Sequence, residues 1–456
     1  MKILKKTIYQ IRDFLIAALK PDTFATFVNY FTKIFLNPII VFFVPLFIDD
    51  NTQGYWYTFG SIGALTTFAD LGFTSIMTQF AAHEYTYLSI DWLKGFTGDS
   101  DNIERISSLF KYFLNWLYKV LIIALIVILS VGIIIFSNKT DSVRWIIPWV
   151  LYVIATVINF STQAELSFFE GCDQFATTQR IRTFASVLHC VSTILLLWSG
   201  AGLYALSIPL FLKALVVIIL LNYKYRNSIR MMLCYKLTQE INWSKNIMPL
   251  ILRYAISWIS GYFAFNIYNP LVFALKGANA AGKVGYSLSI ISAIYSVANV
   301  WSLVSIPKYN MAVELKKWDY LDLLVKKNII YSCVTYTCGI VALYSMKFIP
   351  MIDKLIWTRI MPSLTVMMLA SAYLFSAVCY ALATYLRAHK KEPFLFVSVL
   401  DGILSALLTF IILWIFDLDN IFMGVLISKI IITPISLIVF FRCRNKWHTI
   451  KGIEYA

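Results

Sequence analysis

Among the ionisable side chains inside the long apolar runs of this 456-residue chain, seven stand out: Lys33, Asp70, Lys119, Glu165, Lys213, Asp401 and Lys429. A charge at the centre of a bilayer costs roughly 2.5–3.5 kcal/mol even on lenient insertion scales, so each needs a partner, a wet space or a task. Lysines gathered about one space would attract an anion such as a phosphate or a carboxylate. Carboxylates there suit gating or ion coupling, or they pair with the lysines. Lys119 and Glu165 lie within about two turns of a span end, where a long side chain can snorkel to water. Lys33, Asp70 and Asp401 are deeper, with interhelical ion pairs as the alternative to function. Lys213 and Lys429 sit near mid-helix, where bracing of the helices is the alternative.

Uncharged polar residues thicken the first apolar stretch. Asn29, Thr32, Lys33 and Asn37 fall at helical spacing and share one face, which lipid would not solvate. The seventh stretch partly echoes it with Arg253, Ser257, Ser260 and Asn266. The substrate-cavity candidates are therefore Asn29, Lys33, Asn37, Lys213 and Lys429; the gating or coupling candidates are Asp70, Glu165 and Asp401. No catalytic residue, metal ligand or cofactor is expected. The chain has no phosphate-cradling glycine loop, paired-histidine motif or nucleophile elbow. His83, His189, His389 and His448 are scattered, and the seven cysteines have neither disulfide nor metal spacing.

The elements that must position these residues are transmembrane helices. Composition is 59% hydrophobic and 14% charged, too apolar for a soluble domain to cover. A helix needs about 20 apolar residues to cross the hydrocarbon core. About twelve stretches answer to that: 24–47, 56–79, 112–136, 145–169, 182–199, 203–222, 249–274, 284–306, 328–349, 363–385, 394–416 and 420–441. Alternating barrel-type patterning is absent. Pro249, Pro362 and Pro393 are expected at helix starts; Pro38, Pro148, Pro209, Pro270 and Pro434 fall inside spans and should bend them. The longest loops, about 80–111 and 223–248, are expected to hold short interfacial helices such as Asn102 to Lys111. No loop is long enough for a separate domain.

Lysine and arginine set the orientation. Both termini and every even-to-odd loop carry a roughly fourfold excess of these residues over the other loops, which puts both termini in the cytoplasm. The net charge of +15 is then mostly positive-inside bias and contact with anionic lipid, not a nucleic-acid surface. The basic segment Met1 to Lys20 reads as the lead into a retained first helix, not a cleaved signal.

The chain also repeats itself. Asn37-Pro38 matches Asn269-Pro270, Gly54-Tyr55 matches Gly285-Tyr286, and Glu84 matches Glu314. Trp198 precedes Lys213 by the same interval as Trp414 precedes Lys429. Two halves of six spans, 1–230 and 231–456, enter from the same side and so are related by an axis along the membrane normal. The fold expected is all-α and integral to the membrane: about twelve transmembrane helices in two pseudo-symmetric six-helix lobes around a central cavity.

The segment QGYWYTFGSIGALTTFADLGFTSIMTQFAAHE, Gln53 to Glu84, resembles the helix 2 signature of polysaccharide-export flippases. These belong to the multidrug/oligosaccharidyl-lipid/polysaccharide exporter superfamily. Gly54-Tyr55-Trp56 and the downstream Asp70-Leu71-Gly72 carry the likeness, and topology, length and repeat extend it to the whole chain. The resemblance implies a non-enzymatic flippase in the bacterial cytoplasmic (inner) membrane, serving polysaccharide or lipopolysaccharide biosynthesis. Its substrate would be an undecaprenyl-diphosphate-linked oligosaccharide, an O-antigen, capsule or exopolysaccharide repeat unit. Alternating access would carry it to the outer leaflet, its head group in the cavity and its tail among membrane lipids. H+ or Na+ coupling, and polymerase and chain-length partners, belong to the same picture. Lipid II flippases have two further C-terminal helices for which this sequence offers no apolar stretch. Two rival readings stand beside it. One is a multidrug antiporter of the same fold, which commonly has an acidic residue in helix 1 where this chain has Lys33. The other is a membrane-embedded sugar-modifying enzyme.

Overall fold

The structure, a computed structural model, describes residues 21–137, 142–238, 241–350, 353–389 and 391–449. Hydrocarbon offers a backbone no water to bond, so a spanning segment must close its own hydrogen bonds. Helices accordingly carry nearly all of the described chain. They are α1 Pro21–Phe47, α2 Asp50–Gly63, α3 Thr66–Asp70, α4 Phe73–Tyr85, α5 Ser100–Ser137 and α6 Ile146–Gly171. Then come α7 Phe175–Trp198, α8 Tyr204–Cys234, α9 Trp243–Phe265, α10 Tyr268–Lys276, α11 Ala278–Ala298 and α12 Val300–Glu314. The last are α13 Trp318–Ser345, α14 Ser363–Ala388, α15 Leu395–Ile415 and α16 Ile421–Thr449. Each expected span coincides with a helix or a run of helices. Eight of the described helices are long and apolar enough to cross a membrane, or nine if α11 and α12, bent by 43° at Asn299, are one span.

Three spans are broken where a hydropathy window sees continuity. The second divides into α2, α3 and α4, and its break is the Asp70-Leu71-Gly72 motif. Leu71 and Gly72 both take left-handed backbone, φ 45° and 78°. Glycine does so freely, whereas an ordinary L-residue there costs about 1–2 kcal/mol. Asp70 supports the break: its Oδ1 accepts from the Thr74 N–H at 3.0 Å and its Oδ2 from the Thr74 hydroxyl at 3.1 Å. The seventh span stops at Phe265 and restarts at Tyr268, so Pro270 lies in the first turn of α10 rather than mid-span. Pro148 likewise falls in the first turn of α6, where its missing N–H leaves no bond unmade. Pro249 is the reverse case, inside α9 rather than at its start.

Before α5 the loop forms a two-stranded antiparallel hairpin, β1 Leu88–Asp91 with β2 Gly95–Gly98, in the register Leu88↔Gly98 to Asp91↔Gly95. No separate interfacial helix occupies 102–111; those residues are the first turns of α5.

The chain divides into two compact units that interleave in sequence. One takes the chain up to Ile40, Leu65–Ile133 and Arg144–Ala255; the other takes Val41–Ala64, Ile134–Val143 and the chain from Ile256. The first unit is packed with aromatic rings, Phe73 on Trp116 at 3.6 Å and Phe169 on Tyr225 at 4.3 Å between centroids. In the second, α2 lies against α11 at a separation only glycine permits. A Cβ on Gly54 would fall 1.9 Å from the Ala278 carbonyl oxygen, and one on Gly285 would fall 2.4 Å from the Tyr57 Cβ. These are the two glycines matched by the repeat. Polar bonds hold α2 at the same end: Gln53 Nε2 donates to the Gly282 carbonyl of α11 at 3.0 Å, and Asp50 pairs with Arg359, just before α14, at 2.5 Å.

Candidate functional site

The second unit brings two of the expected residues together. Asp401 on α15 and Lys429 on α16 form an ion pair, Nζ to Oδ2 at 2.5 Å. Their side chains are only 14% and 4% exposed, so this is a buried pair and not a surface bridge. The other carboxylate oxygen accepts from the Ser428 hydroxyl at 3.1 Å and the Ser405 hydroxyl at 3.4 Å. The ammonium also stands 5.1 Å from the centroid of Phe265, the last residue of α9, within cation–π range. A buried charge survives only when its bonding capacity is met in this way.

The pair forms part of the wall of a cavity of about 190 Å³. Hydroxyl and ring groups from α11 and α14, among them Tyr295, Ser376 and Tyr380, line it too, with Arg387 on the same wall. Lysine, arginine, hydroxyls and tyrosine rings are what a phosphorylated or hydroxylated head group would meet. Each helix contributes through small residues: Gly402, next to Asp401, sits where a Cβ would come 2.7 Å from the Ser260 carbonyl oxygen, which draws α15 against α9.

In the first unit the expected residues lie apart. Asn29 on α1 is 1% exposed and donates from Nδ2 to Gln179 Oε1 at 2.6 Å. Gln179 passes the chain on, its Nε2 donating to Glu170 Oε1 at 3.0 Å, and Arg182 Nη1 pairs with the same oxygen at 3.1 Å. Arg182 also donates to the Ser167 hydroxyl at 3.2 Å. Glu170, Gln179 and Arg182 were not singled out in the sequence, since they fall at the edges of the fourth and fifth apolar stretches. The signal was there in outline: an acid and a base separated by one tight turn between two spans.

Thr32 spends its hydroxyl on the Val28 carbonyl at 2.6 Å. Asn37 is exposed, and it lies on the face of α1 opposite the exposed apolar stripe Phe31, Phe35, Ile39, Phe42 and Leu46. The polar face of α1 is thus buried at one end and open at the other. The side chains of Lys33, Arg253 and Ser257 lie outside the described residues. Glu165 is half-buried and accepts from the Ser161 hydroxyl one turn earlier, at 3.3 Å. Lys213 is half-buried on α8, within electrostatic reach of the His189 ring on α7.

Lys213 and Lys429 fall at positions that the sequence spacing matches, and the groups named beside them, His189 and Asp401, each lie on the preceding helix. The matched tryptophans are alike: Trp198 and Trp414 stand at the ends of α7 and α15, 74% and 76% exposed, as interface anchors do.

At the end of α4, Glu84 holds Arg105 through Oε2 at 2.6 Å. Burial works to raise the Glu84 carboxyl, but hydrogen bonds and charge from Arg105 outweigh it and hold it below its ordinary value. Among the described residues no cluster of three or more His, Cys, Asp or Glu side chains is placed to hold a metal ion.

No protein-family model and no curated protein sequence matches the chain. Solved structures do. An inward-facing multidrug resistance MATE family transporter of the MOP superfamily superposes with TM-score 0.57 at 13% identity, over 91% of this chain and 99% of its own. The MATE multidrug transporter DinF-BH, solved as a complex, gives TM-score 0.61 at 12% identity over 95% and 98%. The lipid II flippase MurJ, in an inward closed conformation, gives 0.59 at 12% over 92% and 87%. The chain is a multi-pass membrane protein with the twelve-span architecture of these transporters, a fold that the flippase also resembles.

Proposed function

We propose that the chain is a flippase for an undecaprenyl-diphosphate-linked oligosaccharide, moving it from the cytoplasmic to the outer leaflet of a bacterial inner membrane by alternating access. The observation that carries this reading is the buried Lys429–Asp401 pair on a cavity walled by hydroxyls, tyrosines and Arg387. A cation kept inside the membrane at such cost suits an anionic head group, and hydroxyl and aromatic walls suit sugars. The basic bias of one side supports cytoplasmic termini, and the matched spacings support lobes 1–230 and 231–456 of common design. In the first lobe Asn29, Lys33, Asn37 and Lys213 are the substrate-contact candidates, with Asp70, Glu165 and Asp401 as gating or coupling groups. An H+ or Na+ gradient fits as the driving force.

The test is reconstitution. Purified protein in liposomes should bring a fluorescent prenyl-diphosphate oligosaccharide to the leaflet where a membrane-impermeant reagent reaches it, and Lys429→Met should slow it when equal amounts of folded protein are reconstituted. A second reading, an antiporter of organic cations, draws on the likeness to the multidrug transporter DinF-BH and on the carboxylates Asp401 and Glu165. Gradient-driven uptake of a cationic dye, with no movement of the lipid-linked sugar, would establish that reading instead.

A further inference from the structure

A second cavity in the same unit, about 430 Å³, opens between α13, α14 and α16. Its lining is sorted by chemistry along the helices. Ile329, Ile330, Leu382, Leu437 and Phe441 make an apolar wall, whereas Asp322, Lys326 and Arg444 lie at one end with the Tyr385 hydroxyl. α13 and α16 run in opposite directions, yet their polar members meet: Asp322 and Lys326 open α13, and Arg444 lies near the end of α16. That end belongs to the side the basic residues mark as cytoplasmic, with exposed Lys327, Arg442 and Lys446 close by in sequence.

We infer that this groove binds an anionic phospholipid of the cytoplasmic leaflet, phosphate on Lys326 and Arg444 and one acyl chain along the apolar wall. Length supports the choice. From Asp322 to Ile330 the helix rises about 12 Å, most of the roughly 15 Å depth of one hydrocarbon leaflet. Charge supports it further. Asp322 holds Arg444, Nε at 3.0 Å, and takes the Tyr385 hydroxyl at 2.9 Å, and Tyr385 also touches His448 Nε2 at 3.0 Å. Arg444 Nη1 donates to Asn445 Oδ1 at 3.3 Å. Lys326 is exposed. One carboxylate against two cations leaves the lining with a net positive charge, and the nearby Lys327, Arg442 and Lys446 add to it, which favours an anionic phospholipid over a zwitterionic one. Ile330 and Phe441 are about half exposed, so the groove is open to a lipid from the side. The inference stands apart from the transport reading, since it concerns the solvent and not the cargo.

Native mass spectrometry of the full-length protein exchanged into mixed micelles tests it. The probes are phosphatidylglycerol, phosphatidylcholine and undecaprenyl diphosphate. The wild type should retain phosphatidylglycerol over phosphatidylcholine. Lys326→Ala should lower that preference about fivefold, the equivalent of the roughly 1 kcal/mol that a surface cation contributes toward anionic lipid. Lys326→Glu should abolish the preference, and Ile330→Trp, which fills an already exposed wall, should cut retention of both phospholipids. Thermal melting of each variant is compared with the wild type, so that a loss of binding is read only from folded protein. Equal retention of the two phospholipids by the wild type would overturn the inference. So would unchanged retention in folded Lys326→Glu and Ile330→Trp, or preferential retention of undecaprenyl diphosphate.

Discussion

Replacing Lys429 by methionine keeps most of the side-chain volume and removes one charge. In the wild type Asp401 has three partners, the ammonium at 2.5 Å and two serine hydroxyls at 3.1 and 3.4 Å. The variant leaves it only the hydroxyls, in a site where Lys429 itself is 4% exposed. Breaking a buried pair from one side typically costs about 3–5 kcal/mol, because the remaining charge is desolvated without compensation. The 190 Å³ cavity beside Asp401 can admit water, which places the expected loss at the lower end, about 3 kcal/mol. Asp401→Asn in the Lys429→Met background removes the stranded charge and should recover roughly 1–2 kcal/mol of that, in the range that double-mutant cycles report for groups in contact. The assay is unfolding in mixed micelles, followed by fluorescence, for the wild type, both single variants and the double variant, with liposome transport measured in parallel. A Lys429→Met protein as stable as the wild type, or a double variant no better than Lys429→Met, would refute the buried pair as the reason these residues are there.

Three further outcomes are expected. Asp70→Asn should be milder than Asp70→Leu by about 1 kcal/mol, since the amide oxygen still accepts from the Thr74 N–H and leucine cannot; membrane protein level and melting temperature read this, and equal losses would argue for a role of the charge itself. Gly54→Val should prevent α2 from seating on α11, because even its Cβ would overlap the Ala278 carbonyl, and should cost at least the roughly 1–3 kcal/mol usual for overpacking; normal yield and melting would contradict the close approach. Glu84 has a lowered pKa in the folded chain, so its contribution is present above the ordinary value of 4.5 and is lost as pH falls through the folded value. Melting temperature should therefore drop more steeply on acidification in the wild type than in Glu84→Gln, and parallel curves would remove the Arg105 contact from the account.

The membrane setting, the twelve spans and the helical class were legible in the sequence because each rests on local physics. A run of apolar residues about 20 long has one low-energy answer in hydrocarbon, and no distant contact is needed to choose it. The motif Asp70-Leu71-Gly72 was visible for the same reason, although its left-handed backbone, which divides the second span, was not. Hydropathy averages over a window and cannot see a break made by two dihedral angles.

What each buried charge touches was decided only by tertiary structure. Asp401 and Lys429 are 28 residues apart, and nothing in either helix alone says that their side chains meet. Asn29 reaches Gln179 across 150 residues, and Glu170 and Arg182 join them from span edges where a hydropathy reading treats charge as ordinary. The cost of burying a charge predicts that a partner must exist, but its identity depends on which helix faces come within about 3 Å, and packing over the whole unit sets that.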